Sequence, residues 1–328
     1  MMHLLLYGLS ALHLVSVNKD TLLLSAAPDT IPEVKVQAFY RDGNWKTIPA
    51  SVAVLDNKQI NAYAPGSIVP VLNLVPGVRM EERSPVSYRF SIRGSLLRSP
   101  FGVRNTKVYW NGFPLSDAGG NTYLNLVDIN AFRQVEVLKG PAASAYGAGT
   151  GGALLLQEEL PGKTEPVQTL QAGLSAGSYG MFGTEAAWQM HDSNYTHVFS
   201  YVHRQGDGYR QQSASRKDLL HWLANLHSLH HDWQLLGFYS NIYYQTPGGL
   251  TLAQMQQDPR QARLPSGALP GAVQQKAAIY NQTIYGALAD KWMLSPNWQL
   301  NSFVMLNHTA FTNPFITNYE TRSETNTG

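Results

Sequence analysis

The sequence contains no cysteine, which removes disulfide frameworks, thiolate zinc sites and cysteine nucleophiles together and suits export to an oxidising compartment. Charge is also scarce, at 14% of residues. Lys plus Arg number 24 against 22 for Asp plus Glu, a net charge of +2. No dense basic run is present to neutralise a nucleic-acid backbone, so no DNA or RNA partner is expected. Long hydrophobic runs are missing too. The longest, Leu4 to Val17, has 14 residues and includes His13, too short for a spanning helix of roughly 20 residues. Any membrane contact must therefore be made by strands. The run fits a signal h-region with Ser25-Ala26-Ala27 as cleavage site, although no Lys or Arg precedes it and Lys19-Asp20 interrupts it.

What is plentiful is aromatic residues (11%), Gly (28) and Tyr (17), as expected where strands meet lipid on one side; a secreted β-sandwich shares much of this composition. At 328 residues the chain has room for two domains, each with its own core. Between Val34 and Gln157, short strands alternate with short helices, punctuated by Pro76-Gly77, Asn111-Gly112 and Gly140-Pro141. Asp56 is placed to cap a helix through about Tyr63, Ser67 another through about Leu74, and Asp128 a third ahead of a strand from Gln134 to Leu138. Asn111-Gly112, which tolerates positive φ, closes a hairpin between Val108-Tyr109-Trp110 and Phe113.

From Val167 the pattern changes to longer strands of period 2. Leu170, Ala172, Leu174 and Ala176 alternate with Thr169, Gln171, Gly173 and Ser175, and Phe182, Thr184, Ala186, Trp188 and Met190 with Gly183, Glu185, Ala187 and Gln189. Leu220, Trp222, Ala224 and Leu226, and later Trp298, Leu300, Val304 and Leu306, repeat the pattern. Tyr195 to Arg204 and Trp233 to Tyr244 are strands whose faces stay unassigned. Tight connections at His191 to Asn194, Ser228 to Asp232 and Ser295 to Asn297 alternate with long ones at Gln205 to Lys217 and Gln245 to Ala277, the short-turn and long-loop ends of an outer-membrane barrel. About seven strands are expected, beginning near 168, 181, 195, 219, 233, 279 and 298. Unpaired backbone groups facing hydrocarbon would cost such an open sheet tens of kcal/mol, and a lumen that holds a domain needs about 22 strands. The expected fold is an α+β domain followed by an incomplete antiparallel transmembrane β-barrel, so the chain reads as a fragment or truncated product.

Three segments carry a family resemblance: Phe90-Ser91-Ile92-Arg93-Gly94; Val108 to Leu115, which reads VYWNGFPL; and Val135 to Gly147, which reads VEVLKGPAASAYG, followed by Gly151-Gly152. In this order and spacing they resemble the plug of TonB-dependent outer-membrane receptors. Leu74-Val75-Pro76-Gly77-Val78 fits upstream, and Ser178-Tyr179-Gly180 and Asp207-Gly208-Tyr209-Arg210 resemble the first extracellular loops. The resemblance implies a leader at residues 1–27, a TonB-box-like segment at 28–40, a plug at 41–160 and the first part of the barrel at 161–328. It implies energised import of a scarce ligand through the bacterial outer membrane, with TonB, ExbB and ExbD as partners, outer-membrane lipid around the strands, no cofactor and no enzymatic activity. Gln245 to Thr251 is similar to receptors of the ferric citrate and siderophore type; cobalamin, haem and glycans are the alternative cargoes.

By the same resemblance, Arg93 and Lys139 lock the plug to barrel glutamates in strands beyond this chain. The family more often has arginine where Lys139 stands, which leaves bidentate pairing open there. The other reading of Arg93 is a surface salt bridge at a strand end. Thr30, Ile31, Val34 and Val36 belong to the TonB box, an extended β-branched stretch suited to strand addition; the alternative is simply the first strand of the plug. Ligand contacts are expected at the plug apices, from Arg83, Arg98, Phe101, Arg104, Asn121 and Tyr123, with arginines for an anionic chelate and rings to stack on its organic part.

Two motifs carry other suggestions. Gly147 to Gly152 matches G-x-G-x-x-G, but leucines in a strand pattern follow where a dinucleotide site needs a helix N-terminus, so it reads as a turn. Of His221, His227, His230 and His231, the last two lie in an expected tight turn and the first two on a strand face, and no metal site is expected from them. The rival class is a secreted all-β enzyme or binding protein. Glu136, Glu185 and Asp207 form no acid–base motif that supports an enzyme, while a passive porin or adhesin barrel has no use for the plug segments.

Overall fold

The computed structural model describes residues 35–36, 43–44, 50–95, 103–117, 119–147, 149, 151–158, 166–315 and 318–328. Strand β1 (Lys35–Val36) pairs antiparallel with β2 (Gly43–Asn44). After β3 (Ser51–Leu55), Asp56 accepts from the Gln59 N–H while the Gln59 side chain accepts from the Asp56 N–H, a reciprocal cap that starts α1 (Asn57–Ile60). The helix ends short of Tyr63 because Pro65-Gly66, with Gly66 at φ 78°, turns the chain. Ser67 precedes α2 (Ile68–Asn73) but makes no side-chain cap bond.

Strands β4 (Val78–Ser84) and β5 (Ser87–Ile92) form a separate hairpin. Asn111 and Gly112, at φ 45° and 89°, close the turn between β6 (Thr106–Trp110) and β7 (Phe113–Pro114). Asp128 accepts from the Asn130 N–H to start a single 3-10 turn, Ile129–Ala131, before β8 (Gln134–Lys139). Strand β9 (Gly152–Gln157) completes a five-stranded sheet in the order β3-β8-β9-β6-β7, with β6 and β9 parallel. Val108, Trp110, Val135, Val137, Leu154 and Leu156 are fully buried at its centre.

Eight further strands form one antiparallel sheet in chain order: β10 (Val167–Ala176), β11 (Phe182–His191), β12 (Tyr195–Gly206), β13 (Ser215–His227), β14 (His231–Gln245), β15 (Ala278–Ser295), β16 (Trp298–Phe315) and β17 (Asn318–Thr327). One face is greasy and exposed: Leu170 (76%), Leu174 (82%) and Val304 (63%) stand on it, and Trp188, Phe199 and Trp222 stack across three of its strands at 5.6 and 5.4 Å. On the other face Leu219, Leu223, Leu236 and Ile242 are fully buried and share one apolar cluster with the N-terminal domain. This settles the two unassigned strands: Tyr195, Phe199, Tyr201, Trp233 and Tyr239 point outward, Val198, Val202, Phe238 and Ile242 inward. The long β14–β15 connection contains α3 (Leu252–Gln257), capped by Thr251.

The sheet has eight strands, one more than the reading of about seven; β17 is the addition. Among the described residues β10 and β17 each pair on one side only, so the sheet is open. No described helix is long and apolar enough to cross a membrane.

Candidate functional site

At the long-loop end of the N-terminal domain, Arg104 donates through Nε to the Asn121 side-chain oxygen, and the Asn121 backbone N–H donates to Asp117 Oδ1 at 2.8 Å. Arg104 is exposed and has no carboxylate within ion-pair distance among the described residues. Two residues on, Tyr123 accepts from Arg322 of β17, and that guanidinium lies 4.8 Å from the Phe311 ring centroid on β16. Burial pushes the Tyr123 hydroxyl above the ordinary phenol range, against the opposing pull of Arg322. Arg322 also faces Glu320 (3.6 Å) and Glu324 (3.3 Å), so its charge is already matched from its own strand.

Lower down, charged groups tie the domain to the sheet. Arg204 of β12 donates to Asp128 at 3.3 Å and to Glu185 of β11 at 2.7 Å. Asp128 is only 2% exposed, and such a carboxylate is tolerated because it is paired. Lys217 of β13, itself buried, donates to the Val127 carbonyl. Beside it His221 Nε2 meets Glu158 Oε1 at 2.9 Å, with both side chains buried, and Trp110 Nε1 donates to the other Glu158 oxygen at 3.2 Å. The Trp110 ring stacks on Phe238 of β14 at 5.6 Å and meets the His221 ring edge-on at 5.1 Å. Tyr285 of β15 adds a hydrogen bond to the Pro114 carbonyl at 3.0 Å.

Arg93 and Lys139 are brought together by the glycines beside them. Arg93 (φ 51°) donates its backbone N–H to Gly77 O at 2.7 Å, and Lys139 Nζ donates to the neighbouring Pro76 carbonyl at 2.7 Å. A Cβ on Gly140 would stand 3.3 Å from the Arg93 guanidinium, so the bare backbone lets that cation approach. Partial burial, and then the Arg93 charge, hold Lys139 below the ordinary lysine range. Neither cation has a carboxylate partner among the described residues, and Arg93 is exposed rather than buried.

The structure thus groups Arg104, Asn121 and Tyr123 at one end and Arg93 with Lys139 at another place. Arg83 stands exposed on the separate β4–β5 hairpin. Val36 lies in β1, opposite Gly43. Thr30, Ile31, Val34, Arg98 and Phe101 lie outside the described residues. Among the described residues no group of three or more His, Asp or Glu is arranged to hold a metal, and the Gly147–Gly152 segment leads into β9. Sequence reasoning missed Asp128, Glu158, Arg204, Lys217, His221 and Arg322 as seam residues. The signal available was parity: Arg204, Lys217 and His221 are polar residues on the inward positions of their strands.

Residues 45–154 match the family model described as TonB-dependent Receptor Plug Domain. The chain is 24% identical over 165 residues to the vitamin B12 transporter BtuB of Vibrio vulnificus (strain YJ016), covering 50% of this chain and 26% of that protein. It is 26% identical over 184 residues to the ferrichrome outer membrane transporter/phage receptor of Escherichia coli (strain K12), covering 52% and 23%. It spans about a quarter of the length of these relatives. Among solved structures, the unliganded ferric citrate transporter FecA superposes with a TM-score of 0.65 at 18% identity, over 80% of this chain and 40% of that one. BauA, the ferric preacinetobactin receptor from Acinetobacter baumannii, does so with 0.62 at 14% identity, over 85% and 40%. Plug segments in the expected order, a plug-model match over residues 45–154 and a plug packed on an open wall of amphipathic strands agree: the chain carries a TonB-dependent receptor plug domain, followed by an open antiparallel wall that shares its fold with the barrels of such receptors.

Proposed function

We propose that the protein sits in the bacterial outer membrane and imports a scarce ligand, of the ferric chelate type, past a plug that TonB with ExbB and ExbD displaces. The observation that carries this reading is the two-faced sheet. Its outer face exposes a continuous apolar surface far too large for a soluble monomer, while its inner face is packed against the plug. A secreted β-sandwich would bury the greasy face and expose the polar one. The ferric chelate preference rests on Arg104, a cation at the long-loop end without a carboxylate partner among the described residues and beside the amide of Asn121. Arg93 and Lys139 fit the proposed lock, since two neighbouring cations gain most from carboxylates supplied by further wall strands.

Binding supplies selectivity, and work delivered through the partner moves the plug. The test is uptake by cells expressing the gene, using labelled ferric citrate, ferrichrome and cyanocobalamin, with and without Val34→Pro. Proline removes a backbone donor needed for strand addition. Uptake of a bound probe should fall to background in the variant while surface binding persists. Equal uptake would defeat the assignment of the TonB box, and binding of cyanocobalamin alone would replace the ferric chelate by a cobalamin.

A further inference from the structure

A cavity of about 480 Å³ lies in the seam between plug and wall, away from the apex cluster. Its size is that of a small-molecule site, for which about 300–1,000 Å³ is usual. Strand register fixes its height. Ala187 pairs with Ser200, and Ser200 with His221, four residues nearer the short β11–β12 turn than Arg204. Asp128 and Glu185 themselves line the cavity, so their bridge to Arg204 forms its wall on the long-loop side.

The lining groups differ from those at the apex. Glu158 is spent on His221 and Trp110, and Asp128 on Arg204 and the Asn130 N–H. What stays available is neutral: the amides of Gln171 and Gln189, the Ser200 hydroxyl and one nitrogen of His221. That nitrogen is the sharper observation. His221 is 1% exposed, it is one of the residues that line the cavity, and its Nδ1 has no hydrogen-bond partner. A buried polar atom left unpaired costs about 1–3 kcal/mol unless something that enters the space satisfies it.

We propose that this cavity is a second, transit site for the imported solute, which takes its neutral amide- or hydroxyl-bearing portion once the Arg204 bridge opens. The proposal rests on the import reading above and goes beyond it, since it places the route along the β10–β13 side of the plug. A polyanion without such a portion finds no free cation there, because Arg204 and Lys217 are already engaged.

The absence of cysteine makes a direct test available, because Ala187→Cys gives this chain a single thiol at the cavity wall without touching a polar group. The probes are ferrichrome and cyanocobalamin, given to cells expressing the gene. During uptake of a probe, labelling of the Ala187→Cys thiol by an uncharged methanethiosulfonate reagent should slow about tenfold, and recover when the cells are de-energised. A bulky adduct at this thiol should cut uptake about tenfold with surface binding unchanged, whereas a methyl adduct should leave uptake intact. Undiminished labelling during active uptake, or full uptake past the bulky adduct, overturns the transit site and leaves the import reading standing. If neither probe is bound by the unlabelled receptor, import of amide-bearing cargo fails and the transit site falls with it.

Discussion

Replacing Arg204 by methionine should loosen the plug through one of its two partners and hardly through the other. Asp128 is 2% exposed and Glu185 44%, although Arg204 lies 3.3 Å from the first and 2.7 Å from the second. Distance alone would rank Glu185 higher. Burial reverses the order, because an exposed pair contributes about 0–1 kcal/mol, whereas stranding a buried carboxylate costs about 3–5 kcal/mol. Lys217, whose ammonium is held at the Val127 carbonyl beside Asp128, offsets part of that cost, so about 3 kcal/mol is expected. The assay is a double-mutant cycle read by hydrogen exchange at the Asn130, Ala131 and Phe132 amides, which are bonded within the turn that Asp128 starts. Arg204→Met should speed their exchange about 100-fold, since 1.4 kcal/mol is a factor of ten. Asp128→Asn should remove most of that effect and Glu185→Gln little of it. Acceleration below about fivefold, or equal coupling to both carboxylates, would refute the view that a buried charge fastens the plug here.

Three further outcomes follow from the geometry. Trp110→Phe keeps a ring against Phe238 but strands a buried Glu158 oxygen, so it should lower stability by about 1–3 kcal/mol, and Trp110→Ala by about 3–5 kcal/mol through the lost packing alone, both read by thermal melts in detergent. Gly152→Ala should prevent the plug sheet from forming, seen as lost exchange protection in β8 and β9, because at φ 132° an added Cβ would stand 2.0 Å from the Leu138 carbonyl oxygen. Lys139 has its proton affinity lowered in the folded state, so its charge opposes folding; the penalty is full below that lowered value and fades between it and the ordinary lysine value. The melting temperature of the parent relative to Lys139→Met should therefore climb from neutral to alkaline pH; a gap that stays constant or widens in the other direction contradicts this.

The parts legible in the sequence are those whose cause is local. Leu170 to Ala176 alternates cleanly because its apolar side chains all stand on the exposed outer face, and Asn111-Gly112 announces its turn because few other pairs accept φ of 45° and 89°. Strand β17 left no such trace: Tyr319, Thr321, Ser323 and Thr325 alternate with Glu320, Arg322, Glu324 and Asn326, polar on both faces, so period 2 carries no contrast. Tyr195 to Arg204 hid its faces because the outward set, Tyr195, His197, Phe199, Tyr201 and His203, mixes rings with polar tips. The seam was hidden for another reason. Asp128 and Arg204 are 76 residues apart, and Glu158 and His221 63, so no spacing rule connects them. Only the inward parity of a charged residue hints that a partner waits on the plug.

The distribution of these contacts bears on why the proposed import needs outside work. Binding a solute with micromolar affinity releases about 8 kcal/mol, and only the part of it that differs between two plug arrangements can shift the balance between them. Against it stand a buried carboxylate bridge at Asp128, a second buried pair at Glu158 and His221, the Trp110 stack and the Tyr285 hydrogen bond, which hold the plug to β12–β15. Stranding one buried member of each pair during displacement, at about 3–5 kcal/mol apiece, would already match the whole of that binding energy. Under the proposed import, a ligand at the apex therefore biases the seam without opening it, and displacement of the plug draws on work from outside the ligand's own binding.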